Sequence, residues 1–403
     1  TSSLLVYGSG IPDVEWNLTF GGAADDSIGS VQQTNDGGYI ICGATLSYGA
    51  GHDVWLLKTN STGNELWNKT FSKGVSQSGN SIQETSDGGY IIAGMIEHLD
   101  TNAWLIKTDS VGAKLWDREF GGSSGDYFSS IQQTSDGGYI VTGSTYNYGA
   151  GGHNAWLLKI DSTGKNTGGK IFRGPHSDSG RSVQETNEGD YIIAGETDSY
   201  GAGGNDAWLI KTDSACNELW NKTFGGSSHD YGRSVQQTSD GGYIITGETS
   251  SYGAGSTDAW LIKTDSSGNE LWVRTFGGGN ADYGRSVQQT GDGGYIIAGY
   301  TYSYGSGGAD FWLVKTDSAG NELWNKTFGG SKNDQAHSVQ QTSDGGYIIA
   351  GYTRSYGSGY NDVWLIKIKP EELSVNNPPN NPSVPLGSDT GIAGIAYTYS
   401  TSA

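Results

Sequence analysis

Cysteine is nearly missing from this chain of 403 residues, which has only Cys42 and Cys216. The two fall in different repeats and at different places within them, which argues against a disulfide or a paired-thiol metal site. Basic residues are scarce, 23 Lys and Arg against 43 Asp and Glu, and the formal net charge is -20. Phosphate recognition needs clustered Lys and Arg, so nucleic acid and anionic membrane surfaces are excluded as main partners. Nothing approaches the roughly 20 consecutive apolar residues of a membrane-spanning helix. The chain opens at Thr1 without a signal-peptide pattern, so a secreted form is expected to have lost its leader already. The Ala, Leu and Glu background of helical proteins is also lacking. Gly (67), Tyr (24) and Trp (13) are abundant while hydrophobics make up only 34 %, which suits short strands joined by tight turns.

What the chain does have is one phrase written seven times. SDGGYIIAG occurs at residues 86–94 and again at 343–351, with close copies elsewhere. Their tyrosines, Tyr39, Tyr90, Tyr139, Tyr191, Tyr243, Tyr295 and Tyr347, are 51, 49 and then four times 52 residues apart. A fixed period of this length signals a solenoid, a propeller or an array. The unit that starts at Arg233 reads as four strands: RSVQQT, a tight Asp-Gly-Gly hairpin with positive φ at its glycines, GYIITGET, a Ser/Tyr/Gly loop, DAWLIKT, a DSSG turn, and NELWVRTF. The second and third runs are apolar on both faces, as in strands sandwiched between sheets.

Four-stranded sheets stacked face to face around an axis predict an all-β fold, a seven-bladed β-propeller over residues 14–369. The first recognisable strand, VEWNLTF from Val14, is of the fourth type, and the last, DVWLIKI from Asp362, is of the third. The N-terminal strand is therefore expected to complete the C-terminal blade as its outer strand and close the ring. Residues 1–13 read as an arm, 370–385 as a Pro/Asn-rich linker and 386–403 as a tail. Tryptophans start every third strand and mark six of the seven outer strands; Gly168 stands where the seventh would be, so its blade is expected to be the loosest. Cys216 replaces the turn glycine found at Gly63, Gly112, Gly164, Gly268 and Gly320, and Cys216→Gly is expected to stabilise if φ is positive there.

Units of the form W-x-K-T-F-G-G-S-x-x-D-x-x-x-S-x-Q-Q-T-x-D-G-G-Y-I-I-A-G-x-T resemble the tandem propeller repeats of secreted and surface proteins from methanogenic archaea and bacteria. That resemblance implies an extracellular or cell-surface location. The final GSDTGIAGIAYTYSTSA is similar to the opening strand of the PKD Ig-like domains that follow such propellers. The turn DSSGNELW, residues 265–272, is similar to the tryptophan-docking motif of quinoprotein propellers. Its Asp-to-Gly spacing is one residue shorter and adjacent paired cysteines are lacking, so the packing role of the Trp carries over and the cofactor does not.

Two recurrent loops are expected on one face. One supplies Asp26, Asp126, Asp178, Asp230, Asp282 and Asp334, with Gln77 in the odd repeat; the other supplies Tyr48, Tyr148, Tyr200, Tyr252, Tyr304 and Tyr356. Together they form a candidate binding face for protein or glycan. Because each blade repeats them, the same residues also suit a structural role in the crossing loops. Asp53, Asn102, Asn154, Asp206, Asp258, Asp310 and Asp362 precede the third strands, and converging Asx oxygens leave calcium open as a ligand. No other cofactor is expected.

The six histidines, His52, His98, His153, His176, His229 and His337, are placed in loops or at a strand start and have no metal spacing. The shortened loop with Glu97, His98 and Asp100 is one place where an enzyme could depart from symmetry. Sequons at Asn17, Asn60, Asn68, Asn221 and Asn325 offer N-glycosylation points. The sequence thus points to a non-enzymatic surface module, a surface-layer, sheath, filament or adhesion component that contacts proteins, its own copies or glycans. A lyase or glycosidase on the same scaffold is the alternative.

Overall fold

The middle strands of each blade are sealed because their side chains meet a neighbouring sheet on both faces. Tyr243–Thr249 and Asp258–Thr264 are buried at every position. Ile244 and Leu261 pack with Val287, Tyr295 and Trp312 of the next blade, whereas Tyr243, Ile245 and Trp260 pack with Ile192 and Leu209 of the preceding one. Each such side chain contributes about 1.5–3 kcal/mol on burial, so the core is a ring of interfaces rather than a single centre. The computed structural model describes residues 6–7, 10–49, 51–147, 152–371 and 373–374.

Seven antiparallel four-stranded sheets make up the propeller, with no helix among the described residues. In six sheets the strands follow chain order. The seventh combines Asp334–Gln341, Tyr347–Thr353 and Asp362–Ile368 with Val14–Phe20, Val14 lying opposite Ile368 and Phe20 opposite Val363. The N-terminal strand therefore closes the ring, as its sequence type predicts. The propeller unit is Ser9–Glu371; in the other unit, Thr1–Gly8 with Glu372–Ala403, the described part is a two-residue ladder between Val6–Tyr7 and Leu373–Ser374. The Ig-like strand expected after residue 386 lies outside the described residues.

Two local expectations change. Six of the seven first strands begin at the aspartate, in the Arg233 unit three residues before the expected Arg, because the backbone is already tied there: Asp230 pairs with Thr249, and its N–H donates to Asn205 O at 2.6 Å. In the Asp-Gly-Gly hairpin only the first glycine has positive φ, +81° at Gly241. The second is required for space, since a Cβ on Gly242 would lie 2.2 Å from Thr264 O. Asp240 Oδ1 locks the turn by accepting from Thr238 Oγ1, Gly242 N–H and Lys263 Nζ at 2.5, 3.0 and 3.0 Å.

The S-x-Q-Q phrase solves the problem of the exposed inner edge. A first strand has no partner on its channel side, and its N–H groups there need acceptors. The preceding blade supplies them: Val287 N–H donates to Ser234 Oγ at 3.3 Å and Gln289 N–H to Gln236 Oε1 at 2.6 Å. Across the ring closure, Gln33 N–H donates to Gln340 Oε1 at 2.6 Å. The second residue of each pair works backwards, Gln289 Oε1 accepting from Ser239 N–H at 2.8 Å. Adjacent blades are thus stitched in both directions through side chains.

Outer tryptophans pack on the hairpin tyrosine of the next blade, Trp220 on Tyr243 and Trp272 on Tyr295, both at 6.0 Å. They also dictate the glycine of the following outer turn, where a Cβ on Gly268 would lie 2.6 Å from the Trp220 ring. Where Gly168 replaces the tryptophan that constraint is lifted, and Cys216 occupies the turn with φ +66° and its thiol buried beside Tyr191.

Candidate functional site

Each first strand contains a β-bulge at one fixed position; in blade six the ladder jumps from Gly284 to Ser286 and leaves Arg285 unpaired. A bulge re-aims the extra side chain out of the pleat. The first three blades carry Gly29, Asn80 and Ser129 there, and the other four carry Arg181, Arg233, Arg285 and His337. Fifteen residues later, across the hairpin, Ala44, Met95 and Ser144 give way in the same blades to Glu196, Glu248, Tyr300 and Tyr352. Both substitutions change together, and the ring loses its symmetry there.

The result is a continuous polar chain. Arg181 Nε contacts both Glu196 oxygens at 2.9 and 3.0 Å. Arg233 Nε donates to Glu248 Oε1 at 2.9 Å while its Nη1 lies 3.6 Å from Glu196. Arg285 reaches Glu248 at 3.5 Å and donates from Nη2 to Tyr300 OH at 2.8 Å. Arg233 lies 4.6 Å above the Tyr231 ring, and Arg285 lies 5.4 and 5.2 Å from the rings of Tyr283 and Tyr300, which stack 4.5 Å apart.

Three guanidiniums share two carboxylates, so Arg285 is the surplus cation. Burial works against its charge, but Glu248 and Tyr300 hold its pKa above the ordinary value. Burial, and then the Arg285 charge, lower the neighbouring His337 to about 4, so its ring is neutral at pH 7. Arg285 Nε and His337 Nε2 are buried without a partner among the described residues. The cluster sits at the loop end of the channel wall, since Arg285 is three residues inside Asp282, where the strand leaves its loop. Sequence reasoning placed His337 at a strand start and missed this cluster.

The expected loop face divides into two levels. All six loop aspartates are fully buried. Asp230 accepts from Gly226 N–H at 2.8 Å and Ser251 Oγ at 2.6 Å, and also from Thr249 Oγ1; Asp26, Asp178, Asp282 and Asp334 repeat this set. Asp126 is bound by Gly122 N–H at 3.0 Å and by Asn147 Nδ2. These carboxylates fasten the loops from beneath, the structural role that their repetition in the crossing loops suits, and their burial removes them from the candidate binding face.

Tyr48, Tyr200, Tyr252, Tyr304 and Tyr356 are exposed, each donating its hydroxyl to the preceding crossing loop, as Tyr252 does to Gly225 O at 2.8 Å. Tyr148 lies outside the described residues. In the shortened loop the His98 ring meets Glu119 at 3.6 Å, while its backbone N–H donates to Asp100 O at 3.1 Å. Among the described residues no three His, Cys, Asp or Glu side chains converge as a metal set. Of the sequon asparagines, Asn17, Asn221 and Asn325 accept the indole N–H of a third-strand Trp at 3.2–3.4 Å, Asn68 donates to Glu65, and Asn60 organises its turn.

No protein-family model matches the chain, and no curated protein matches it. Solved structures do resemble it. The Pan2 WD40 domain of Neurospora crassa shares 10 % identity at TM-score 0.54, covering 86 % of this chain and 90 % of that one. A YCF48 structure described as bound to D1 peptide shares 12 % identity at TM-score 0.51, covering 91 % and 99 %. These likenesses show the propeller fold.

Beneath the crossing loops the third-strand aspartates approach the loop aspartates. A Cβ on Gly225 would lie 1.8 Å from Asp206 Oδ1 and 2.8 Å from Asp230 Oδ2, and Gly277 and Gly329 cover the equivalent pairs. Burial, with the Asp230 charge adding, raises Asp206 to about 6, and Asp258 and Asp310 rise for the same reasons. Asp310 Oδ1, beneath Gly329 at one of these pairs, is buried without a hydrogen-bond partner among the described residues. A carboxyl with a raised folded pKa stabilises fully below its unfolded value near 4, and that contribution is lost as pH climbs through the folded value.

Hairpin aspartates run the other way. Against a desolvation cost, Thr85, Gly89 and Lys107 hold Asp87 at about 2, and Asp240 is held at about 2 likewise, so their contribution is lost only in stronger acid. Buried His337, its folded pKa depressed to about 4, opposes this trend by favouring higher pH, so it is in a His337→Gln variant that the melting temperature is expected to fall from about pH 5 to about pH 7.5. Melts across that range that stay flat or rise would contradict the paired-acid account.

Proposed function

We propose that this propeller is a non-catalytic, extracellular or cell-surface binding module whose loop-side channel mouth engages a carboxylate-bearing segment of a partner protein. The observation that carries this reading is the break in symmetry: in four adjacent blades the bulge presents Arg, Arg, Arg and His, with one guanidinium in excess of the carboxylates. In a chain of net charge -20, such a surplus is a local attractor for an acid. Tyr283, Tyr300 and Tyr302 offer aromatic contact beside it. The non-catalytic part is supported by Glu196 and Glu248, both engaged by arginines rather than poised as an acid and base.

A second reading, saccharide contact at the rim, is favoured by a cavity of about 680 Å3 between blades three and four, lined in part by Tyr200, Trp208, Lys170 and Arg173. One experiment separates the two: the protein is probed on an array of acidic and neutral peptides and on a glycan array. Binding to acidic peptides that weakens with salt and drops about tenfold or more in Arg285→Met, roughly the 1.4 kcal/mol of one charge-assisted hydrogen bond, supports the mouth. Glycan binding insensitive to Arg285→Met would replace it with the rim.

A further inference from the structure

We propose that the central channel holds a small, singly charged, weakly hydrated anion inside a ring of seven glutamine carboxamides. The channel cavity, about 270 Å3, is lined by one valine or isoleucine and one glutamine from every blade, beginning with Val31 and Gln32 and ending with Val339 and Gln340. In each of these glutamines Oε1 is already engaged, as when Gln236 accepts from Gln289 N–H and Gln288 from Gln341 N–H, both at 2.6 Å. A backbone N–H can only donate, so this bond fixes which arm of the amide is the oxygen. The other arm, Nε2 with two hydrogens, has no partner among the described residues in any blade. Seven equivalent free donor groups therefore line one short stretch of channel, while each amide oxygen is already committed to a backbone N–H.

Complementarity then selects the ligand. The free N–H donors disfavour cations, whose charge would meet the positive ends of the N–H dipoles. Although the chain contains 43 Asp and Glu, none lines this cavity. The collar of Val and Ile beside the amides cannot replace lost hydration, and the amides themselves are neutral. The ion that fits is one that sheds water readily and carries one charge, a halide or nitrate rather than sulfate. This site is separate from the arginine cluster and does not depend on the partner proposed for it.

The chain also indicates a clean perturbation. One position further along the same strands, Glu84 and Glu185 replace Gln and still accept a neighbouring N–H, from Asn35 and Ser135 at 2.8 and 2.7 Å. Gln236→Glu with Gln288→Glu should therefore keep the inter-blade acceptors and the fold while removing donors and adding negative charge. The experiment is a titration of the full chain at pH 8 with sodium bromide, nitrate and sulfate at matched ionic strength, read by melting temperature, with anomalous scattering from bromide-grown crystals. Expected are a saturable stabilisation by bromide and nitrate, a bromine peak inside the glutamine ring, and apparent affinity weakened at least about tenfold in the double variant. An unsaturable or absent bromide response in the wild type, equal binding by the Glu variant, or sulfate binding as tightly as bromide would each overturn the proposal.

Discussion

Deleting residues 1–20 should lower the melting temperature by about 10 °C or more. The deletion removes the whole outer strand of the seventh blade, and with it the half-buried Val14, Trp16, Leu18 and Phe20. At about 1–2 kcal/mol for each partly buried side chain, the loss is roughly 4–8 kcal/mol. Trp16 matters most, because it packs 5.7 Å from Tyr39 of the first blade and so joins the two ends of the ring. Adding back a peptide of residues 10–22 should restore much of the loss, since it re-forms the ladder opposite Asp362–Ile368. A truncated protein that melts like the full chain would mean that closure contributes little.

The second large effect is expected from a pair of substitutions that are nearly silent or harmful alone. Gly168 has room, for an added Cβ meets nothing within 4 Å, but a Trp there would meet the Cys216 side chain as Trp220 would meet a Cβ on Gly268, at 2.6 Å. Gly168→Trp alone should therefore be neutral or destabilising. Cys216→Gly alone removes a left-handed strain of about 1 kcal/mol and forfeits a buried thiol of similar worth, so the stabilisation expected from sequence alone should largely vanish. Together they rebuild the aromatic interface of the other blades and should stabilise by about 2–3 kcal/mol. Thermal melts of the two single variants and the double variant complete the cycle; additivity within about 0.5 kcal/mol would refute the coupling.

That pair also shows how much was legible in advance. The missing tryptophan and the odd cysteine were both visible in aligned repeats, as were the blade count and the closing strand, because each rests on a fixed period. Their connection was not visible, since it runs between outer strands of different blades and only packing brings Gly168 to Cys216. For the loop aspartates the sequence left two roles open, binding face and crossing-loop fastener, because an Asp bonded to backbone N–H groups and an Asp facing solvent look alike in sequence; their burial assigns the second. The arginine cluster was overlooked for a different reason. Taking Arg as the start of the first strand hid the bulge, although the paired change fifteen residues apart, Arg233 with Glu248 against Asn80 with Met95, is readable once the hairpin register is known.

The register of the closing strand has a mechanical consequence. Val14 lies opposite Ile368 and Lys369 N–H donates to Asp13 O at 3.0 Å, so the chain enters and leaves the propeller side by side. Tension applied between those two exits loads the ladder one bond at a time, like opening a zip, instead of shearing seven residues at once. The fold that resists heat through closure should therefore yield to a pull at low force, peeling Val14–Phe20 first while the other six sheets stay intact.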